Sequence, residues 1–279
     1  MLVKIIKHEL KATARIFLLM YAIMLALTAL NSLIYVFSDN ILSRDPNNLI
    51  GQIFSSIFSA SMSLYMLALL AVGVITTVII VVRFYRMLGD EGYLWFTLPV
   101  TAHQHIIGKL VVATLWSLAS GIVICLSFSL LMVSVGQLDE LIYLLQDIYR
   151  TLRGLNANLI LWIIVLIVYA ASSFLMNILK FYTSVSIGSS LMKSRLGGSV
   201  LFFFIISFAL SFVDAIVTMV MMAILANSDL SAPDGVQTAR IVLDVFQVYF
   251  GVMSLYALAK AAGFYILTQH FTAKKLNLP

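Results

Sequence analysis

Charge is what this sequence has least of. Only 10% of its 279 residues are Asp, Glu, Lys or Arg, where a soluble domain carries about 25%. Hydrophobic residues make up 62%, and the mean hydropathy is +1.06. Those totals exclude a soluble globular domain and put the chain under the rules of the bilayer; no nucleic-acid partner is expected. Cysteine is nearly absent. Cys125 is the single one, which excludes an internal disulfide. It sits in an apolar run, where packing is expected of it; a reactive thiol needs an electropositive, partly open site.

Catalytic signatures are missing too. No GxxxxGK[ST] phosphate loop occurs; Gly108-Lys109 is followed by Leu110 and lacks the upstream glycine. The chain is therefore not expected to hydrolyse a nucleotide by itself, and no catalytic residue is assigned. HExxH is absent. Ser190-Leu191-Met192-Lys193 matches SxxK, but the companion motifs of the acylating enzymes are missing. His103 and His105 share a segment with Asp90 and Glu91, yet no second ligand spacing supports a metal site. The opening MLVKIIKHELKATAR carries Lys4, Lys7, Lys11 and Arg15 ahead of any long apolar run, unlike a cleavable signal peptide.

What is present is span after span. A membrane helix needs roughly 20 apolar residues. Six stretches qualify, near 17–37, 57–82, 110–135, 159–179, 199–226 and 241–267. The fold expected is an all-α integral membrane protein, with 1–279 as a single transmembrane domain. Residues 1–16 add an amphipathic interfacial helix. Leu2, Ile6, Leu10, Thr13 and Phe17 recur at three- and four-residue steps, and the basic residues occupy the other side. That pattern predicts a helix lying on the inner membrane surface, apolar face on lipid, turning into span one.

Basic residues set the orientation. With the N-terminus inside, the inner segments hold Lys4, Lys7, Lys11, Arg15, Arg83, Arg86, Lys109, Lys180, Lys193, Arg195, Lys274 and Lys275. The outer segments hold only Arg44, Arg150, Arg153 and Arg240. The bias predicts a multi-pass protein of the bacterial plasma membrane with both termini cytoplasmic. Outside, the stretch 136–158 places Leu141, Leu144, Leu145, Ile148, Leu152 and Leu155 at helical spacing. It reads as a short amphipathic helix on the outer surface, and its role is left open.

Polar residues inside spans are costly in lipid and carry a functional prior. Asp214 lies well inside span five, and Asn31 and Asn177 lie in spans one and four. All three are candidates for a substrate path. The asparagines serve equally well as interhelical hydrogen-bond partners. Lys260 falls about two turns from the end of span six, where it is expected to snorkel.

One loop remains: DEGYLWFTLPVTAHQHIIGK. It resembles the cytoplasmic connection of permease subunits in type-2 ABC exporters from Gram-positive bacteria. The matching residues are Asp90, Glu91, Gly92, Tyr93, Leu94, Phe96, Thr97, Leu98, Pro99 and Lys109. A second stretch, FYTSVSIGSSLMKSRLGG at 181–198, resembles that family's connection between spans four and five. The resemblance implies a permease working with a separate ABC ATPase, which would hold the ATP and Mg; this chain would bind no cofactor. It implies pairing with a second permease, as a homodimer or heterodimer, and export of a peptide or hydrophobic small molecule, multidrug substrates included. It assigns ATPase coupling to Asp90, Glu91, Gly92, Tyr93, Trp95, Phe96, Lys193 and Arg195. Aromatic anchors and register-setting charges suit such docking. The competing reading makes the aromatics interface anchors and Asp90-Glu91 a helix cap. For the whole chain, the alternative is a six-span sensor or accessory subunit without a motor.

Overall fold

The computed structural model describes residues 2–44, 48–88, 101–154, 158–192, 194–227 and 235–274. They form seven helices, and no strand occurs among them. These are α1 (Leu2–Leu42), α2 (Leu49–Leu88), α3 (Ala102–Ser134), α4 (Leu138–Gly154), α5 (Leu159–Leu191), α6 (Arg195–Asn227) and α7 (Gly235–Lys274). All but α4 are long and apolar enough to cross a membrane. The protein is all-α with six candidate spans, one for each expected stretch.

The helices outrun those stretches. α1 has 41 residues, about 60 Å at 1.5 Å per residue, twice the roughly 30 Å hydrocarbon core. It is unbroken from Leu2, so the expected turn between a surface helix and span one is absent. The reason lies in the face that was expected on lipid. Ile6, Leu10 and Ala14 pack on a core cluster of Phe17, Tyr21, Val112 and Trp116. Thr13, the odd polar member of that face, is 4% exposed and accepts a hydrogen bond from the Trp116 indole Nε1 at 2.7 Å. Phe17 stacks on the Trp116 ring with centroids 4.4 Å apart. A three-and-four-residue stripe suits a partner helix as well as it suits lipid, and here the partner is α3.

The chain divides into two compact units. The first comprises Met1–Ile80 and Val111–Gln146, the bundle of α1, most of α2 and most of α3. Its buried α1 positions include Phe17, Tyr21, Met24, Thr28, Asn31 and Ser38. Steps of four and three give the 3.5-residue period of knobs-into-holes packing. Hydroxyls bridge the helices in rungs. Tyr21 and Ser120 are 2.8 Å apart and Ser120 and Thr76 2.9 Å, which joins α1, α3 and α2. Thr28 and Ser127 are 2.6 Å apart and Ser127 and Tyr65 2.8 Å, which joins the same three again. Between membrane helices such bonds and close packing do the work that water-driven burial does elsewhere.

The second unit comprises Val81–Leu110 and Asp147–Pro279. Its axis is α5, which packs on both α6 and α7, while those two meet each other only sparsely. The α5–α6 hairpin is tight because it is built on glycine. A Cβ on Gly188 would collide with the backbone of Gly198 and Ser199, and one on Gly198 would lie 2.7 Å from the Gly188 carbonyl oxygen. Against α7, Thr183 Oγ1 lies 2.9 Å from Thr268 Oγ1 and donates to the Phe264 carbonyl. Buried Ala257 and Ala261 allow the close approach that small residues give membrane helices. From Ile178 to Ser189 most of α5 is buried.

The helix ends flanking 89–100 belong to this second unit. Phe84 stacks on Tyr182 at 3.9 Å between centroids, and Met87, Leu88 and Ile106 are buried. His103, in the first turn of α3, is hydrogen-bonded through Nδ1 to the Tyr265 hydroxyl of α7.

α4 forms as expected and has no buried residue. Leu144, Leu145 and Ile148 stay about half exposed. Cys125 is exposed as well. It does not pack in the bundle as expected, because it lies on the face of α3 turned away from the hydroxyl rungs.

Candidate functional site: an ion pair between two spans

A charge inside a membrane span needs a partner, water or a route to the interface. Asp214 on α6 has a partner. Its Oδ1 accepts from Lys260 Nζ of α7 at 2.8 Å. Lys260 does not snorkel to a nearby helix end, since α7 continues to Lys274, about 20 Å further along. Its ammonium instead turns to Asp214 and rests over the Tyr256 ring, 4.0 Å from the centroid. Tyr256 is one turn earlier on the same helix, so an i, i+4 pair brings ring and cation together. The Lys260 side chain is 13% exposed and that of Asp214 is 42% exposed. The pair thus has a closed cationic side and an open carboxylate side.

A third charge stands nearby. Lys180 of α5 lies close enough to feel both members of the pair, repelled by Lys260 and attracted by Asp214. Its ammonium is 5.2 Å from the centroid of Phe203 on α6, and Phe203 stacks on Phe181 at 4.7 Å. Two hydroxyls belong to the same neighbourhood. Tyr256 Oη faces the Asp214 carboxylate, an acceptor for its hydroxyl, and Ser207 Oγ is buried without a hydrogen-bond partner. Ser207 shares a face of α6 with Phe203 and Asp214, at steps of four and seven.

One turn beyond Asp214, Thr218 donates to the Asp214 carbonyl at 2.8 Å and lines a cavity of ≈130 Å³ between α6 and α7. Met221, Met222, Val245, Phe246 and Tyr249 form the rest of its wall. The cavity exists because α6 and α7 both lean on α5 rather than on each other.

The other candidates separate. Asn31 is 2% exposed. Its Oδ1 accepts from Ser61 Oγ at 2.7 Å and its Nδ2 donates to the Leu27 carbonyl at 3.0 Å. It is a bridge between α1 and α2 in the first unit. Asn177 makes no bond to another helix; it is exposed, and its Nδ2 donates to the Ser173 carbonyl of its own helix at 3.0 Å. Arg195 opens α6. Asp90, Glu91, Gly92, Tyr93, Trp95, Phe96 and Lys193 lie outside the described residues.

Lys260 is a site residue that sequence reasoning read only as a snorkelling side chain. Its signal was present: an acid and a base each isolated in the interior of a different apolar stretch, the lysine set among small residues in ALAKAAG, 257–263. No family model, curated protein or solved structure matches the chain.

Proposed function

We propose that this chain is the permease subunit of an ATP-driven type-2 ABC exporter in a bacterial plasma membrane. It pairs with a second permease and with a separate ATPase, and it moves an amphipathic peptide or hydrophobic small molecule. The observation that carries this reading is the DEGYLWFTLP stretch between α2 and α3, taken with what its flanks hold. Residues 81–88 and 101–110 are packed into the unit that contains the intramembrane ion pair. Phe84 on Tyr182 and His103 on Tyr265 tie the two sides of the loop to α5 and α7. A pull on 89–100 would be delivered to the helices that carry Lys180 and Lys260. That is the connection a motor-driven transporter needs, because a docking site on an unattached loop would move nothing else.

In this reading Asp90, Glu91, Trp95 and their neighbours dock on the ATPase, with Lys193 and Arg195 at the second inner turn. The aromatics anchor and the charges set register. Reversing both acids, Asp90→Lys with Glu91→Lys, is expected to reduce ATPase recovery at least tenfold. The ground is that desolvated charge pairs cost on the order of 2–5 kcal/mol when broken. Trp95→Ala is expected to act the same way. Pull-down of the co-expressed ATPase, at equal amounts of inserted permease, is the measurement. Full recovery with both variants would return the loop to membrane anchoring.

A further inference from the structure

We propose that the α5–α6–α7 unit holds a binding site for an anionic amphiphile, with the head at Lys180 and the Lys260–Asp214 pair and the tail in the cavity lined by Met221, Met222 and Tyr249. The charge balance comes first. Two lysines and one carboxylate share this neighbourhood, which leaves one positive charge over. Asp214 is engaged by Lys260, so the surplus sits on Lys180. The Phe203 ring at 5.2 Å offsets part of the cost of an unmatched ammonium among apolar helices, but it carries no charge. An anion would supply what is missing.

Hydrogen bonding agrees in sign. Ser207 Oγ is buried and unpartnered, and a hydroxyl in that state offers a donor. A carboxylate or phosphate oxygen accepts only, so it complements an ammonium and a hydroxyl at once. A cation would meet the surplus lysine as a like charge.

The tail follows from the cavity. At ≈130 Å³ it approaches the roughly 150 Å³ of an apolar cavity that takes up benzene, so it admits a short hydrocarbon segment. Thr218 links it to the ion pair by a single helical turn. Methionine walls adapt to irregular chains. Access is lateral, since the Asp214 side is open and α6 and α7 barely meet. The head could belong to a free single-chain amphiphile or to a bilayer lipid; the chemistry recognised is the same.

Binding does not require the ATPase, so this test fails or succeeds apart from the exporter reading. The full chain in phosphatidylcholine nanodiscs would be titrated with radiolabelled dodecanoate, with empty discs as the blank. Saturable binding is expected, with dodecanol and dodecyltrimethylammonium far weaker. Lys180→Gln should lower affinity about tenfold or more, the scale of one lost charge-assisted bond, and Lys180→Arg should restore most of it. Met222→Trp, which fills the cavity, should weaken dodecanoate while leaving the melting temperature near the parent's. Displacement of dodecanoate by phosphatidylglycerol in the discs would assign the head group to bilayer lipid; none would assign it to the free amphiphile. Binding no tighter than dodecanol, or unchanged in both Lys180→Gln and Met222→Trp, overturns the site.

Discussion

Lys260 and Asp214 illustrate how a pair differs from its members. Each alone is an expense in lipid. Together, at 2.8 Å, they form a charge-assisted bond in which each screens the other. Removing one member should hurt more than removing both. Lys260→Met is expected to cost on the order of 1–3 kcal/mol, the penalty of a charged group left without its partner. Asp214→Leu added to Lys260→Met should recover most of it. Thermal melting of the detergent-solubilised protein reads both; a double variant no more stable than Lys260→Met would show that the cost lies in losing the pair itself, not in an unpartnered charge. Sequence alone exposed Asp214 as unusual but could not pair it, because the pairing depends on which helices lie side by side. Thr13 was misread for a related reason. Its hydroxyl was the one polar mark on a stripe that packs on α3 instead of on lipid, and only the position of Trp116 explains it.

At the scale of elements, existence was legible and extent was not. A hydropathy pattern reports the width of the bilayer core, about 20 residues of helix. It does not report where backbone hydrogen bonding stops. α1 therefore begins 15 residues before its expected span, through Lys4, Lys7, Lys11 and Arg15. α4 was read correctly as a helix because its 3.6-residue pattern is clean; none of its residues is buried. The α5–α6 hairpin was legible only as a resemblance at 181–198. Its physical content is the contact of Gly188 with Gly198. Gly198→Leu is expected to force the two helices apart, with loss of folded, monodisperse protein on size exclusion after solubilisation. The exposed Gly121 on α3, where an added Cβ meets nothing within 4 Å, serves as the control: Gly121→Leu should elute like the parent. Equal behaviour of the two would mean that the hairpin does not depend on close backbone approach.

For the whole molecule, six spans and the basic bias make a topology that can be measured. Asn47→Cys and Asp234→Cys should react with an impermeant maleimide in intact cells, and Ser194→Cys should react only after permeabilisation. Labelling of Ser194→Cys from outside would invert the proposed orientation. The division into two units was not legible. It rests on contacts such as Phe84 with Tyr182 and His103 with Tyr265, which lie far apart in sequence and leave no local pattern. The ends of α2 and α3 look like ordinary continuations of their spans, and nothing in their composition says that they are held by α5 and α7.

The rungs of the first unit limit how it can move. Tyr21 meets Ser120, Thr28 meets Ser127, and Tyr35 donates to the Val135 carbonyl at 3.2 Å. On each helix the members stand seven or eight residues apart, and α1 and α3 run parallel at an offset of 99 or 100 residues. Such a scale has widely spaced detents. Sliding α1 by one turn, about 5.4 Å, breaks the Tyr21–Ser120 and Thr28–Ser127 contacts together. The next setting at which most rungs close again is seven residues away, about 10 Å. A piston stroke between α1 and α3 would have to break all three rungs before any re-formed, whereas swinging the bundle as one piece breaks none. Within this unit α1, α2 and α3 should therefore shift together and not slide past one another.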